Sequence, residues 1–191
     1  SENDYIIKTS LNILNNSIIK RNENFTLSKD STINISNGAT LFIEGGIKFL
    51  NDKDNFTKIT SKDGTGSISF YQNKFELKNI VFENLFKPNL SNYILYGGIN
   101  FINSEIKLNN IVIKNSNEED AINIINSNSE ISNIYFENII ADALDIDFGK
   151  MYFDSINCFK INNDCLDISG AKVSGQNIYV NKTNDKGISA G

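Results

Sequence analysis

Apolar and polar positions alternate in short runs along most of the chain, and the runs recur. Phe25-Thr26-Leu27, Ile33-Asn34-Ile35 and Leu41-Phe42-Ile43 follow one another with Lys29-Asp30 and Asn37-Gly38 between them. Period-two alternation broken by such dipeptides predicts strands joined by turns, and helical spacing of apolar residues is absent. Further on, Asp120-Ala121-Ile122-Asn123-Ile124 returns as Asp142-Ala143-Leu144-Asp145-Ile146 and as Asp164-Cys165-Leu166-Asp167-Ile168, each about 22 residues after the last, with Ile188 again in step. A unit of this length cannot bury its apolar face alone and stacks on copies of itself.

Two strands are expected in each repeat. The first is Ile47–Phe49, Ile68–Phe70, Ile99–Phe101, Ile122–Ile124, Leu144–Ile146, Leu166–Ile168 and then Ile188. Its outer residues should point inward. Its middle residues, Lys48, Ser69, Asn100, Asn123, Asp145, Asp167 and Ser189, should point to solvent, since strand side chains alternate faces. The second strand centres on Ile80, Ile111, Ile134, Ile156 and Ile178. Asn79, Asn110 and Asn133 precede those centres, and Asn84, Asn115 and Asn138 follow them, as expected for amides stacked from repeat to repeat. Asp120, Asp142 and Asp164 are placed to cap the turn into the first strand.

The fold this predicts is all-β: a single parallel β-helix over 1–191, with irregular opening coils over 1–46 and regular coils of about 22 residues over 47–191. Extra residues over 87–98 form a protruding loop. Tyr93 and Tyr96 there are candidates to stack on a sugar, the alternative being an insertion packed on the side of the helix.

Composition removes whole classes of chemistry. With His 0 there is no Ser-His-Asp triad, Cys-His pair or His-ligated zinc. A net charge of −5 without a basic run argues against a nucleic-acid partner. No apolar run approaches the roughly 20 residues of a membrane span. The chain begins at Ser1 and stops at Gly191 in mid-repeat, which reads as a fragment or processed product, with further coils expected to stack beyond 191. Cys158 and Cys165 fall in columns held elsewhere by Phe136 and Ile113 or by Ala121 and Ala143, so burial as small apolar residues is preferred over a disulfide.

The densest polar constellation is Asp142, Asp145, Asp147, Asp164 and Asp167, with Asp185 nearby. Asp145 and Asp167 should stand on adjacent coils about 5 Å apart at Cβ. Carboxylates that close have three outcomes. One carboxyl keeps a proton, as in glycosidases with carboxyls about 5–5.5 Å apart when retaining or about 6.5–9.5 Å when inverting. A cation bridges them, which makes Asp145, Asp147 and Asp167 candidate Ca²⁺ ligands. Or they form a solvated acidic face.

The run Ala141-Asp142-Ala143-Leu144-Asp145-Ile146, then Asn163-Asp164-Cys165-Leu166-Asp167-Ile168, then Asp185-Lys186-Gly187-Ile188-Ser189 resembles pectin-degrading β-helix enzymes. It is most similar to the polygalacturonase motifs N-T-D-G-I-D, G-D-D-C-I-A-I and G-H-G-I-S-I-G. The resemblance covers roughly the last third of the chain. It implies a single-stranded right-handed parallel β-helix of the pectin-lyase type, a polysaccharide partner and a secreted or cell-surface location. It places Asp142 and Asp164 at catalytic motif positions, with Asp145 and Asp167 completing the acidic centre. Lys186 stands at the motif's His, as a substrate contact. Asn163 stands where the motif carries its first paired Asp, and an amide cannot act as a general acid. Similarity to Ca²⁺-dependent lyases of the same fold leaves a metal open. The favoured expectation is therefore a non-catalytic or degenerate β-helix module, a rigid scaffold contacting carbohydrate. The alternative is a polysaccharide hydrolase or Ca²⁺-dependent lyase built on the Asp cluster.

Overall fold

The computed structural model describes residues 3–52, 55–90 and 94–191. Its strands are β1 (Asn3–Ile7), β2 (Ser10–Ile13), β3 (Ser17–Ile19), β4 (Glu23–Leu27), β5 (Thr32–Ile35), β6 (Thr40–Ile43), β7 (Gly46–Phe49) and β8 (Thr57–Thr60). They continue as β9 (Ser67–Tyr71), β10 (Lys74–Glu83), β11 (Gly97–Ile102), β12 (Glu105–Ser116), β13 (Asp120–Ile139), β14 (Asp142–Ile161), β15 (Leu166–Thr183) and β16 (Ile188–Ala190). Every pairing is parallel, and each strand pairs with its counterparts in neighbouring coils, so the chain is a parallel β-solenoid.

Each coil has three faces. The first stacks β3, β6, β9, β11, the openings of β13, β14 and β15, and β16. The second holds β1, β4 and β7, then the openings of β10 and β12 and the middles of β13, β14 and β15. The third stacks β2, β5, β8 and the ends of β10, β12, β13, β14 and β15. The strands over 3–49 keep parallel register with the coils that follow them.

Left-handed residues make the corners. Between the first and second faces stand Gln72, Asn103, Asn126, Phe148 and Gly170 with φ between 45° and 63°. Asn79 and Asn110 turn the chain from the second face to the third, and Asn84, Asn115, Asn138, Lys160 and Lys182 bend it again. Asparagine tolerates this conformation better than other residues with a Cβ, and its amide reaches the coil before. Asn126 donates to Asn103 at 2.7 Å, Asn110 to Asn79 at 2.7 Å and Asn138 to Asn115 at 3.2 Å.

The interior is a stack of equivalent side chains. Ile68, Ile99, Ile122, Leu144 and Leu166 form one column, and Ile80, Ile111, Ile134 and Ile156 another, all buried. Phe70 and Phe101 lie parallel, their ring centres 4.6 Å apart. Gly175 leaves room for the Phe153 ring, since a Cβ there would come within 2.3 Å of it. Repeated burial at roughly 25 cal/mol per Å² of apolar surface is the main stabilising term, and each coil supplies it to its neighbours.

Three expectations need correction. Ile47–Phe49 pairs with Phe25–Leu27 on the second face, so Lys48 leaves the first-face row; the partner of Ile68–Phe70 is Leu41–Ile43. Two apolar–x–apolar triplets lie within nine residues, and alternation alone does not say which of them turns the corner. Ser69, Asn100 and Asn123 are fully buried rather than solvent-facing. Asn100 exchanges two hydrogen bonds with Gly97 at the end of the insertion, and Leu95 is buried there outside the core. Finally, Cys158 and Cys165 form a disulfide across the corner between the third face and the next coil's first face. The burial expected for both is met, but in the bonded form.

Candidate functional site

The acidic residues gather on the first face because every coil re-enters it at the same point. Asp120, Asp142 and Asp164 start the strand, with Asp120 paired in register to Asp142. Three residues on, Asn123, Asp145 and Asp167 form the next column. Asp142 Oδ1 accepts the Asn163 side-chain amide at 2.7 Å and the Asp164 backbone N–H at 2.8 Å. Asp164 Oδ1 accepts the Lys186 backbone N–H at 2.8 Å, and the Lys186 ammonium lies 3.8 Å from its Oδ2. The turn-capping role expected of these residues is thus exerted on the following coil. Lys186 also pairs with Asp185 at 2.8 Å, and these neighbouring carboxylates push its pKa up.

Asp120 breaks the pattern. The Asp142 N–H goes to the Glu119 carbonyl instead, and among the described residues no donor bonds the Asp120 carboxylate. It is only 4 % exposed. Burial, followed by the charges of Asp145, Asp142, Glu119 and Asp147, pushes its pKa up to about 8. Asp145 is raised to about 7, first by burial and then by Asp147, Asp167 and Asp142. Asp142 is raised as well, burial outweighing its two hydrogen bonds. Asn123 Nδ2 donates to Asp145 Oδ2 at 2.8 Å and to Asp147 Oδ2 at 3.2 Å. Asp145 Oδ1 and Asn123 Oδ1 are buried without a donor. A buried carboxyl oxygen without a donor fits a proton held on Asp145.

Calcium fits this arrangement poorly. An N–H donor, Asn123 Nδ2, already faces the oxygens of Asp145 and Asp147, and Asp167 Oδ1 turns back to accept the Ile168 N–H at 2.9 Å. Among the described residues no three Cys, Asp or Glu side chains converge on a point suited to a metal ion. Tyr96 is exposed and stands just before Gly97, the register partner of Asp120. Tyr93 lies outside the described residues.

A further concavity lies elsewhere. A groove of about 770 Å³ runs along the second face, parallel to the axis, over five successive coils. One wall is the column Lys74, Glu105, Asn128, Lys150 and Lys172. The other is Glu76, Lys107, Glu130, Tyr152 and Ser174. At one end, charges cancel from coil to coil: Lys74 pairs with Glu105 at 2.7 Å and Lys107 with Glu130 at 3.0 Å. At the other end stand Lys150, Lys172 and Tyr152, whose hydroxyl accepts the Gln176 amide at 2.7 Å.

Between acid face and groove sits Phe148, 60 % exposed and left-handed at φ 61°. A bulky side chain rarely takes that conformation. Its ring lies over Gly170, where a Cβ would come within 2.8 Å of it. Sequence reasoning passed over the groove. Its one trace in the sequence is a column that begins with the Lys74–Glu105 pair and ends with Lys150 followed 22 residues later by Lys172.

Comparison with protein-family models, with curated proteins and with solved structures finds no match for this chain.

Proposed function

We propose that this chain is a non-catalytic β-helix module of a secreted or cell-surface protein, a rigid scaffold that contacts carbohydrate along its second-face groove. One observation carries the reading: the carboxyls capable of acid–base chemistry and the concavity large enough for a polymer are on different faces. Catalysis needs the reacting bond held against the acid and base, so a groove without them is a binding surface. Asn163, an amide at the family's acid position, supports the same reading. The Cys158–Cys165 disulfide is compatible with an oxidising compartment.

A second reading has a specific observation in its favour. Asp145 carries its proton up to about pH 7 beside Asp167, as an acid and a base on adjacent coils would. That is a polysaccharide hydrolase. The two readings separate in one assay. The protein is incubated with neutral and acidic polysaccharides, with Ca²⁺ and with chelator, while binding, new reducing ends and unsaturated products are followed. Binding without turnover is expected. Turnover that disappears in Asp145→Asn or Asp167→Asn would establish the enzyme instead.

A further inference from the structure

The groove is electrically uneven. Over its first three coils each ammonium has a carboxylate on the adjacent coil. Lys150 and Lys172 are direct register partners, both exposed, and among the described residues neither makes an ion pair. Adjacent coils lie about 4.8 Å apart, and like charges placed directly opposite on parallel strands repel. In a chain of net charge −5 this is a local excess of positive charge. Opposite it the Tyr152 ring is 42 % exposed, and its hydroxyl is fixed by Gln176. An aromatic ring with a polar tip suits a ligand that is both apolar and hydroxylated.

We propose that Lys150 and Lys172 form the anchor for an anionic group of an extended acidic glycan, with its chain running down the groove and a sugar ring against Tyr152. The inference rests on the carbohydrate-contacting reading above and names the class of glycan. The shared chemistry is a carboxylate or sulfate ester held between two ammonium groups one coil apart. From Lys74 to Lys172 the groove spans four coil steps, about 19 Å, which fits an extended polymer better than a compact anion.

Calorimetric titration tests this with four probes: a hyaluronan hexasaccharide, a chondroitin sulfate hexasaccharide, the neutral chitin hexamer and a short poly-glutamate peptide. The native protein is compared with Lys150→Gln, Lys172→Gln and, as a control, Lys62→Gln, an exposed lysine outside the groove, each checked for an unchanged melting temperature. One or both acidic glycans should bind more tightly than the other two probes, and the one preferred identifies the anionic group. Each anchor substitution should weaken that binding roughly fivefold and the control less than about twofold. Added salt should weaken it as well. Neutral hexamer bound as tightly as the acidic glycans, with the lysine variants unchanged, overturns the anchor and leaves the carbohydrate reading standing. Poly-glutamate bound as tightly as the acidic glycans overturns the assignment to a glycan. No binding of any glycan overturns both.

Discussion

The Asp142 carboxylate accepts the backbone N–H of Asp164, one coil further on, at 2.8 Å. Asp164 repeats the arrangement with Lys186, and Asp120 has no equivalent. Three carboxyls in one column therefore sit in two electrostatic situations.

The unbonded member makes stability depend on pH. Asp120 and Asp145 have folded-state pKa values of about 8 and about 7, above the ordinary 3.8, because burial and neighbouring carboxylates disfavour their charge. The folded chain thus holds these protons more tightly than the unfolded chain. Their contribution is fully present below 3.8 and is lost as pH rises through about 7 and then about 8. Thermal unfolding followed by circular dichroism should show a lower Tm at about pH 9 than at about pH 6. Asp120→Asn, which removes the buried charge and keeps the shape, should flatten that difference and gain on the order of 1–3 kcal/mol at the higher pH. An unchanged pH profile in the variant would refute the assignment.

The bonded member should behave oppositely. Asp142→Ala strips the acceptor from the Asp164 N–H and the Asn163 amide, at a cost of about 1–3 kcal/mol in urea unfolding. Asp142→Asn keeps an acceptor oxygen and should recover most of the loss. Equal losses in the two variants would show that charge, not hydrogen bonding, is what the position supplies.

The disulfide closes a short loop, Cys158 to Cys165, and holds the corner at which the chain enters the coil of Asp164. Its chain-entropy contribution for so few residues is about 2 kcal/mol. Replacing both cysteines with Ala should lower unfolding free energy by that order and leave the circular dichroism spectrum unchanged. Loss of the β spectrum would mean that the bond is required for folding.

Gly149 tests how tightly the corners are built. It has φ +99°, and a Cβ there would meet the Ser127 carbonyl oxygen of the preceding coil at 2.0 Å. Gly149→Ala should cost upwards of roughly 2 kcal/mol, since both the backbone conformation and the coil spacing oppose it. Gly187→Ala, which meets only the Val180 side chain at 3.5 Å, should change Tm little.

The solenoid was legible because its core is written as columns. Leu144, Leu166 and Ile188 share a spacing, and the structure pairs them in that register. The Asp column and the Asp145–Asp167 neighbour pair follow from the same arithmetic. What escaped was whatever depends on the corners. Phe42 rather than Lys48 neighbours Ser69, because a period-two triplet looks the same on any face. By strand alternation Asn123 should face solvent, yet it is buried against two carboxylates. The cysteine columns gave burial correctly, but burial is common to a thiol and a disulfide. The groove has no contiguous signature, since its walls take one residue from each of five coils.

Parallel pairing between successive coils also fixes how the molecule bears load. The ladder hydrogen bonds run along the axis, and each joins one coil to the next. Tension applied at the two ends of the chain meets one such interface at a time. The solenoid should therefore peel from an end, coil by coil, at a force independent of its length. A push across the axis is shared by every coil it touches, so the body is soft in peeling and stiff in bending.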